Sequence, residues 1–527
     1  MWKVRGWAGK GAALATLVLA GLGMGQGVGG TVTLALTEEP DTLDPQKTST
    51  AVTGLILRYA ADTLITKDPK GKYVAGLAAS WEVSNDGLTW TFQLKPGVKF
   101  SNGDPLDAAA VKASIERAIN PATKSPIAAD LYGKVGSVTV VAPRVLRIQL
   151  KEAFSPFLDN LTDPRAAIVN ARAAQAAGDQ FGRAPVLSGP WKVASWRSGD
   201  RIVLERNPDY NWGPAYVHRG APYIQQLIFR VIPDAATQVT AFQANEVQIL
   251  PTVPPTNVRQ LQSAGTYQFF SFLRTGVGLF LEFNTTKAPF DDLRVRQALN
   301  YAIAKEPIVR IALQGLGEVA CGPLPPSISG YWDGICDYAP KTNLDKAKEL
   351  LAQAGWRPGA DGVLNKDGKP FEFTLYTAPI DTWTQSAQIV QAQLQSLGIK
   401  MNIQTFEFGT LLDKLKKGEQ QAHFMGYTYT SPDILYLWFH SSNIGTGLNL
   451  SHFKDATLDG LIDRSRKESR AELRDSIYRD IQKYIVDKAL WVPLWINQNY
   501  VAVQPQIKGI QISNQGFVVL MDAYVSR

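Results

Sequence analysis

The sequence predicts an α/β fold built from more than one lobe, and three observations support this prediction. The chain has 527 residues, which is too long for one ordinary domain and suggests two or three lobes. Strand and helix patterns alternate from 371 to 428, which is typical of a parallel sheet with right-handed crossovers. Two β-rich stretches, 77–150 and about 187–232, precede this region. Hydrophobic residues make up 45% of the chain and charged residues 19%, a composition that folds into large cores.

The first residues have the pattern of an export signal. Lys3, Arg5 and Lys10 give a basic start, and an uncharged, mostly apolar stretch follows over 11–23. This stretch is shorter than the ~20 residues of a membrane-spanning helix. We therefore expect a signal peptide over 1–25 and an extracytoplasmic, periplasmic protein, with an uncleaved anchor as the alternative. No cysteine stands near the end of the signal, so no lipid-anchor acceptor is expected.

The first half of the chain has clear local signals for strands and helices. Trp90, Phe92 and Leu94 alternate with polar residues, which indicates a half-buried strand after the turn at 85–87. Asp107 is placed to cap the helix that follows it. The other predicted elements here are strands at 31–36, 135–141, 145–150, 191–196, 201–206 and 224–232, and helices at 50–64 and after 233–234.

The alternating region gives a first prediction of the binding site. Its predicted elements are strands at 279–283, 371–377, 399–406 and 422–428, and helices at 293–304, 344–354, 382–397 and 409–417. In open α/β sheets, ligands bind outside the carboxyl ends of the strands. These ends are 377–383 and 427–433, which are rich in aromatic and hydroxyl side chains. The candidates are Trp383, Tyr427, Thr428 and Tyr429, although Trp383 also begins an apolar helix stripe that predicts a core position.

The chemistry-bearing motifs of common enzymes are absent from the sequence. It contains no phosphate-binding P-loop, no G-x-S-x-G nucleophile elbow and no H-E-x-x-H zinc motif. The four histidines are far apart, so structural roles are expected for them rather than a metal site. The formal charge of +7 is scattered, and we expect no nucleic-acid partner and no cofactor. Cys321 and Cys336 could form a disulfide in an oxidising compartment, or remain two buried thiols.

Several segments, in order along the chain, resemble the family 5 extracellular solute-binding proteins, the peptide- and nickel-type binding subunits of ABC importers. The longest is LAASWEVSNDGLTWTFQLKPGVKFSNGDPLDAAAVKASIERA at 77–118. The others include EPDTLDP at 39–45, SGPWKVASWRSGDRIVLERNPDYNW at 188–212, FNTTKAPFDDLRVRQALNYAIAKE at 283–306, LDKAKELLAQAGW at 344–356 and VPLWINQNY at 492–500.

This resemblance implies a Venus-flytrap fold like that of type II periplasmic binding proteins, with an extra lobe. Two lobes would be mixed α/β and the third β-rich. Lobe I would comprise 31–60, 186–278 and 495–527, lobe II 61–185, and lobe III 279–494. The ligand would be held between lobes I and III, with the hinge near 275–282 and 490–500.

The resemblance also implies ligand anchors, and the sequence departs from them. Family peptide binders commonly hold the α-amino group with an Asp in the stretch matching 426–433, where this chain offers only Asp433. Two roles are open for Asp433: it takes the amine, or it only caps the following helix. A dipeptide binder also uses an Arg in the stretch matching 376–386, where the only charge here is Asp381. These departures weaken the dipeptide interpretation and leave longer peptides or neutral oligosaccharides open.

The expected function is therefore solute capture without catalysis. The protein would be a monomer that binds a peptide or another small solute, closes its lobes and docks on an ABC permease served by ATPase subunits. The alternatives are the same fold binding an oligosaccharide, a sensor that feeds a signalling partner, and a secreted hydrolase, for which no catalytic residues can be named.

Overall fold

The computed structural model describes residues 29–526. The predicted signal peptide at 1–25 therefore lies outside the described residues. Within 29–526, every helix is too short or too polar to cross a membrane.

One long strand joins two halves of the molecule. This crossing strand, Trp491–Val503, is part of a 12-stranded sheet. Near its start it pairs antiparallel with Val277–Phe283, and near its end with Gln268–Leu273. It also pairs antiparallel with Gly317–Val319 and Ile249–Leu250. The strands on either side of the crossing strand's midpoint thus belong to different halves of the chain.

In the first half, the strand Thr31–Leu36 lies between two parallel neighbours. These are Gln226–Val231 and Ile249–Leu250. The antiparallel strands Arg201–Arg206 and Trp191–Arg197 extend the sheet to its edge. The helices of this region are Ala51–Ala60, Ala235–Gln243 and Pro255–Ser263. The first of them is shorter than predicted, because the chain turns to extended backbone at Ala61.

The second half contains the predicted β-α-β-α-β unit, which is confirmed. Glu372–Thr377 pairs in parallel with both Lys400–Thr405 and Ala422–Tyr427. Ala422–Tyr427 then pairs antiparallel with Val277–Phe283. The connecting helices are Asp381–Gln395 and Phe408–Lys416.

A separate four-stranded sheet forms the other β-rich unit. Its order is Ala78–Val83, Thr89–Leu94, Val145–Leu150 and Val135–Ala142, all antiparallel. Trp90, Phe92 and Leu94 are buried, which confirms the predicted alternation. The helix Ala108–Ile119 packs beside this sheet, and the side chain of Asp107 accepts from the Ala110 N–H, so the predicted cap is confirmed.

The remaining elements are short hairpins and helices around these sheets. The hairpin strands are Ile65–Lys67 with Tyr73–Ala75, Arg357–Pro358, Leu364–Lys366 and Lys369–Pro370, Ile507–Lys508 with Tyr524–Val525, and Gln511–Ile512 with Val518–Val519. The helices are Ala128–Leu131, Phe157–Asn160, Ala171–Ala177, Leu293–Ala302, Lys305–Ala312, Ile335–Tyr338, Leu344–Gln353, Ile434–Phe439, Ala456–Lys467 and Ala471–Asp487. Single turns of 3₁₀-helix lie at Pro121–Thr123, Pro164–Ala166, Gly178–Gly182 and Ser441–Asn443.

The apolar core follows the same division as the sheets. One cluster of buried side chains runs from Val32 to Phe229 and includes the C-terminal Leu520, and a second runs from Val277 to Trp495. A smaller third cluster lies under the helix Pro255–Ser263. Cys321 and Cys336 form a disulfide in the second half, with their Cα atoms 5.0 Å apart.

Candidate functional site

The carboxyl ends of the parallel strands point toward the middle of the crossing strand from both halves. On one side, Leu250 pairs with Ala502. On the other, Tyr427 pairs with Val277, two residues before Leu279, which pairs with Trp495. Because ligands of open α/β sheets bind outside such strand ends, the boundary between the halves is the candidate binding cleft.

The backbone that crosses this boundary is packed directly against the predicted binding loop. The segment Arg274–Gly276, called the hinge segment after the hinge predicted near 275–282, links Gln268–Leu273 to Val277–Phe283. Gly276 has φ +106°, and a Cβ placed on it would lie 2.2 Å from the Tyr427 carbonyl oxygen. The Arg274 N–H donates to the Asn497 carbonyl oxygen at 2.8 Å, which ties the hinge segment to the crossing strand. Only glycine fits at 276, because its φ lies in the left-handed region and backbone atoms of the predicted binding loop already occupy the space of a Cβ.

The cleft loop, Tyr427–Asp433, contains four of the six residues predicted to bind ligand. The rings of Tyr427 and Tyr429 lie 6.4 Å apart, and Tyr427 is 37% exposed. Thr428 is exposed, and its Oγ1 accepts a hydrogen bond from Arg274 at 3.2 Å. Within residues 29–526, the N–H and C=O groups of Thr428, Tyr429 and Thr430 have no hydrogen-bond partner. This run of main chain is therefore available to a ligand.

Asp433, the predicted amine anchor, is already neutralised. Its carboxylate accepts from Arg466 Nε at 2.8 Å, and the Arg466 guanidinium also lies 3.7 Å above the Tyr436 ring. Burial raises the pKa of Asp433 to about 6, and the guanidinium opposes this rise. The alternative that Asp433 caps the following helix is wrong, because its side chain makes no cap hydrogen bond to the helix Ile434–Phe439. Its carboxylate is instead held by a cation within the same half.

The two predicted residues after the neighbouring strand have different environments. Trp383 is 8% exposed and belongs to the core cluster, where its ring packs behind Gly426 of the strand that leads into the cleft loop. This is the core position that its helix stripe predicted. Asp381 is exposed in the first turn of the same helix, and its side chain makes no hydrogen bond to another described residue. Contact of either residue with a ligand stays a prediction.

A second charged cluster faces the cleft loop from the first half. Lys67 forms an ion pair with Asp159, and the Tyr73 hydroxyl donates to the same carboxylate at 3.1 Å. Burial, followed by the Asp159 charge, raises the pKa of Tyr73 well above its ordinary value. Asp159 also raises the pKa of Tyr429, after the larger effect of burial. The cleft loop thus lies within electrostatic reach of this cluster.

Direct hydrogen bonds also join the two halves beside these charges. The Ser155 N–H donates to the Arg466 carbonyl oxygen at 2.6 Å, and the Ser155 hydroxyl donates to the Ser465 carbonyl oxygen at 2.7 Å. The Arg466 guanidinium lies 5.2 Å from the Phe154 ring. Arg466 therefore touches both the cleft loop and the opposite half.

A buried acid–base pair supports the cleft loop from behind. Glu282 and His423 are fully buried on neighbouring strands, with Oε2 and Nε2 2.9 Å apart. Trp438 Nε1–H donates to the same Glu282 oxygen at 3.2 Å, and its ring contacts Tyr427 at 5.3 Å between centroids. The position of the Tyr427 ring therefore depends on a polar group inside the core.

Sequence reasoning missed the residues that the first half contributes near the hinge. The C-terminal loop, Ser513–Phe517, accepts a hydrogen bond from Thr275 Oγ1 on the Gln515 carbonyl oxygen at 3.4 Å. The guanidinium carbon of Arg58 lies 3.3 Å from the centroid of the Phe517 ring. No local pattern could reveal this contact, because the two residues are more than 400 positions apart in the chain. Across residues 29–526, no group of three or more His, Cys, Asp or Glu side chains is arranged to hold a metal ion.

Comparison with protein families gives an extensive match. Residues 72–446 match the model of the bacterial extracellular solute-binding proteins, family 5. The glutathione-binding protein GsiB of Salmonella paratyphi A is 28% identical over 494 residues, covering 91% of this chain and 92% of that protein. GsiB of Escherichia coli K12 is 27% identical over 492 residues, with the same coverage.

Solved structures share the fold over nearly the whole chain. HbpA2 from Haemophilus parasuis has a TM-score of 0.82 at 24% identity, covering 94% of this chain and 100% of that chain. The oligopeptide-binding protein AppA from Bacillus subtilis, in complex with a nonapeptide, has a TM-score of 0.67 at 26% identity, covering 95% and 100%. The predicted fold class, a type II periplasmic-binding-protein fold with an extra lobe, is confirmed.

Proposed function

Since the chain belongs to the bacterial extracellular solute-binding proteins of family 5, we propose that it captures peptides as the extracytoplasmic substrate-binding subunit of an ABC importer. The observation that carries this proposal is the unpaired main chain of Thr428–Thr430 at the boundary between the halves. A peptide in extended conformation can pair its own N–H and C=O groups with such a segment, as an added strand does. The names of GsiB and AppA, which refer to glutathione and oligopeptides, support the same ligand class.

In this proposal the protein works by reversible closure and makes or breaks no covalent bond. The proposal retains the three lobes with the boundaries given in the sequence analysis. The hinge segment and the crossing strand are the two connections between lobes I and III that would bend. A ligand that contacts both lobes favours the closed form by its additional contacts there. The closed form would dock on a membrane permease, whose ATPase subunits supply the energy. Export by the signal peptide places the protein, as a monomer, in the periplasm.

The proposal excludes Asp433 as the anchor of a peptide amino group. Its charge is compensated by Arg466, and the remaining surface of the carboxylate is small, since the side chain is 11% exposed. An arriving ammonium group would compete with a guanidinium that is stacked on Tyr436 and bonded to the carboxylate. Affinity should therefore come from main-chain hydrogen bonds and from the rings of Tyr427 and Tyr429, which tolerate many peptide sequences.

A neutral oligosaccharide is the second candidate, and the exposed ring of Tyr427 is the observation that favours it. Sugars stack on aromatic faces, and the hydroxyls of Thr428 and Thr430 could bond their oxygens. This candidate needs the same fold and the same cleft, so only a binding experiment separates it from a peptide.

The test is a ligand panel measured with purified protein comprising residues 29–527. Thermal unfolding is followed with glutathione, with alanine peptides of three, five and nine residues, and with maltose and maltotriose. At about 100 times Kd, a true ligand stabilises the folded state by ~2.7 kcal/mol. Stabilisation by peptides and not by sugars supports the proposal; stabilisation by the sugars alone replaces it with the second candidate. If native mass spectrometry also finds no retained ligand and no panel member stabilises the protein, peptide capture is refuted.

A further inference from the structure

Arg58 is a cation that the fold leaves without a partner. It lies in the helix Ala51–Ala60, with its side chain half-buried and its Nε fully buried. Among the described residues, the guanidinium forms no ion pair, and none of its N–H groups donates a hydrogen bond to another side chain or carbonyl oxygen. The Nε–H is the buried donor that lacks an acceptor, and buried donors are satisfied in nearly all native structures. A bound molecule would explain this arginine by supplying the acceptor and the negative charge that the described residues do not provide.

The carboxylate with the strongest electrostatic effect on Arg58 cannot serve as that partner. Asp163 is close enough to act on Arg58 electrostatically, but it is held by Arg165 through two hydrogen bonds of 2.8 Å each. Tyr216 and Tyr59 also act on Arg58 only electrostatically, since neither hydroxyl accepts a hydrogen bond from it. Burial lowers the pKa of Arg58 to about 10, which leaves it fully charged at neutral pH. Arg58, Arg165 and Asp163 together therefore carry a net charge of about +1 at neutral pH.

The orientation of this guanidinium is fixed by the loop that meets the hinge. It stacks on the Phe517 ring at 3.3 Å, and such stacking restrains a planar guanidinium without using its N–H donors. The C-terminal loop that carries Phe517 also bonds to Thr275 through Gln515, and Asn514 N–H donates to the Pro69 carbonyl oxygen at 2.7 Å. The oriented cation therefore contacts the same C-terminal loop that bonds to the hinge segment.

We propose that Arg58 is a ligand-binding residue that takes a carboxylate of the captured peptide. This inference rests on the proposed function and adds a charge requirement to it: the ligand supplies the anion that residues 29–526 do not. The carboxylate would be either the peptide C-terminus or the side chain of an acidic residue, since both offer the two oxygens that a guanidinium binds in a forked geometry. In this proposal the arginine that binds a carboxylate comes from the first half of the molecule, and not from the stretch 376–386 that the family resemblance implied.

The first experiment compares ligands that differ only in one carboxylate. Isothermal titration is carried out with trialanine and its C-terminal amide, and with the amides of Ala-Glu-Ala and Ala-Gln-Ala. The wild type should prefer the acid over its uncharged counterpart by about ten- to hundred-fold in one of these pairs, because a hydrogen bond to a charged group contributes on that scale. The pair that shows the preference identifies the source of the carboxylate.

Two variants decide whether Arg58 causes the preference. Arg58→Gln should bind the acid and its uncharged counterpart equally well. Arg183→Gln is the matched control, because Arg183 also stacks on an aromatic ring, that of Trp196 at 3.9 Å, but donates to Ser198 and lies 3.9 Å from Glu39. Arg183→Gln should keep the wild-type preference. An unchanged preference in Arg58→Gln, or no preference in the wild type in either pair, overturns the role of Arg58 while leaving peptide capture intact.

A measurement without ligand keeps the inference testable if no peptide binds. Arg58→Met keeps the packing on Phe517 and removes the uncompensated charge. If Arg58 is retained for a ligand, the melting temperature of the unliganded variant should equal or exceed that of the wild type. A melting temperature several degrees below the wild type would instead mean that Arg58 holds the C-terminal loop in place, and the inference would be abandoned.

Discussion

Replacement of Gly276 by alanine should displace the cleft loop and weaken ligand binding. The Cβ of an alanine at 276 would lie 2.2 Å from the Tyr427 carbonyl oxygen, 2.6 Å from Thr428 Cα and 2.8 Å from Tyr429 N. All three atoms belong to backbone, so relief requires a shift of about 1 Å in the hinge segment or in the loop, at an overpacking cost of about 1–3 kcal/mol. The φ of +106° adds about 1–3 kcal/mol of backbone strain for a residue with a side chain.

Gly265→Ala is the matched control for this prediction. Gly265 also has a left-handed φ of +65°, but nothing lies within 4 Å of its added Cβ. The control should therefore lose only the strain of about 1–2 kcal/mol and keep full affinity. Urea unfolding followed by tryptophan fluorescence gives the stability difference, and titration with the best ligand of the panel gives the affinity. Equal stability losses in the two variants, together with unchanged affinity in Gly276→Ala, would refute the assignment of Tyr427–Asp433 as the binding loop.

Three further predictions concern buried charges and the disulfide. Burial raises the pKa of Asp62 from 3.8 to about 6, so the wild type should lose about 2 kcal/mol relative to Asp62→Asn as pH rises from 4 to 7. Urea unfolding profiles that stay parallel over this range would contradict this prediction. Arg466→Met should cost about 3–5 kcal/mol of stability, because it leaves the carboxylate of Asp433 buried without its cation. Adding Asp433→Asn to the same chain should restore part of this stability. A loss below about 1 kcal/mol in Arg466→Met would contradict the prediction. Replacing Cys321 and Cys336 by serine should lower stability by ~3 kcal/mol, as expected for a loop of this length, and the reduced wild type should match the double variant in thermal unfolding.

The sign of the Asp62 prediction follows from its neighbours. The carboxylate accepts hydrogen bonds from Trp212 Nε1 at 3.0 Å, Ser188 Oγ at 3.1 Å and Tyr210 Oη at 3.2 Å, which lower its pKa, but the desolvation outweighs them. The folded state therefore binds the proton more tightly than the unfolded state does. Stability from this group is complete below its ordinary pKa and is lost as pH rises through about 6.

Local patterns in the sequence were sufficient for most of the elements that carry the sheets. The alternation at Trp90, Phe92 and Leu94 and the cap at Asp107 depend on neighbours only a few residues away, and both predictions are confirmed. Gly355 follows the helix predicted at 344–354 and has φ +94°, the left-handed conformation in which a glycine commonly ends a helix. Hydrophobic periodicity, helix caps and turn residues each depend on only a few consecutive residues, so they can be identified from the sequence alone.

The prediction was incomplete where an element draws its stability from distant partners. The helices Ala456–Lys467 and Ala471–Asp487 were absent from the predicted elements, although buried Ile477, Ile481 and Ile485 recur at helical spacing. This omission also hid Arg466, which is the partner of Asp433. A search for apolar residues at i, i+4 and i+8 over this region would have found the second helix.

The charge balance of the site could not be read from the sequence at all. The family resemblance implies an acid in the stretch 426–433 and an arginine in the stretch 376–386, and Asp433 satisfies half of that pattern. Only the fold shows that Arg466 pairs with Asp433 and that Arg58 forms no ion pair with any acid among residues 29–526. A charged side chain is free to bind a ligand only if no other side chain pairs with it. Such ion pairs join residues that are far apart in the chain, so a local sequence pattern does not reveal them.

The most direct test of peptide capture at the cleft loop is hydrogen exchange with mass spectrometry, with and without the peptide that stabilises the protein best. The amides of Thr428–Thr430 have no partner within the described chain and should exchange fast in the free protein. A bound peptide should slow their exchange at least tenfold and should also protect the hinge segment, while the distant hairpin at 357–370 keeps its free rate. Full binding with unchanged exchange in Tyr427–Asp433 would place the ligand elsewhere and contradict the account.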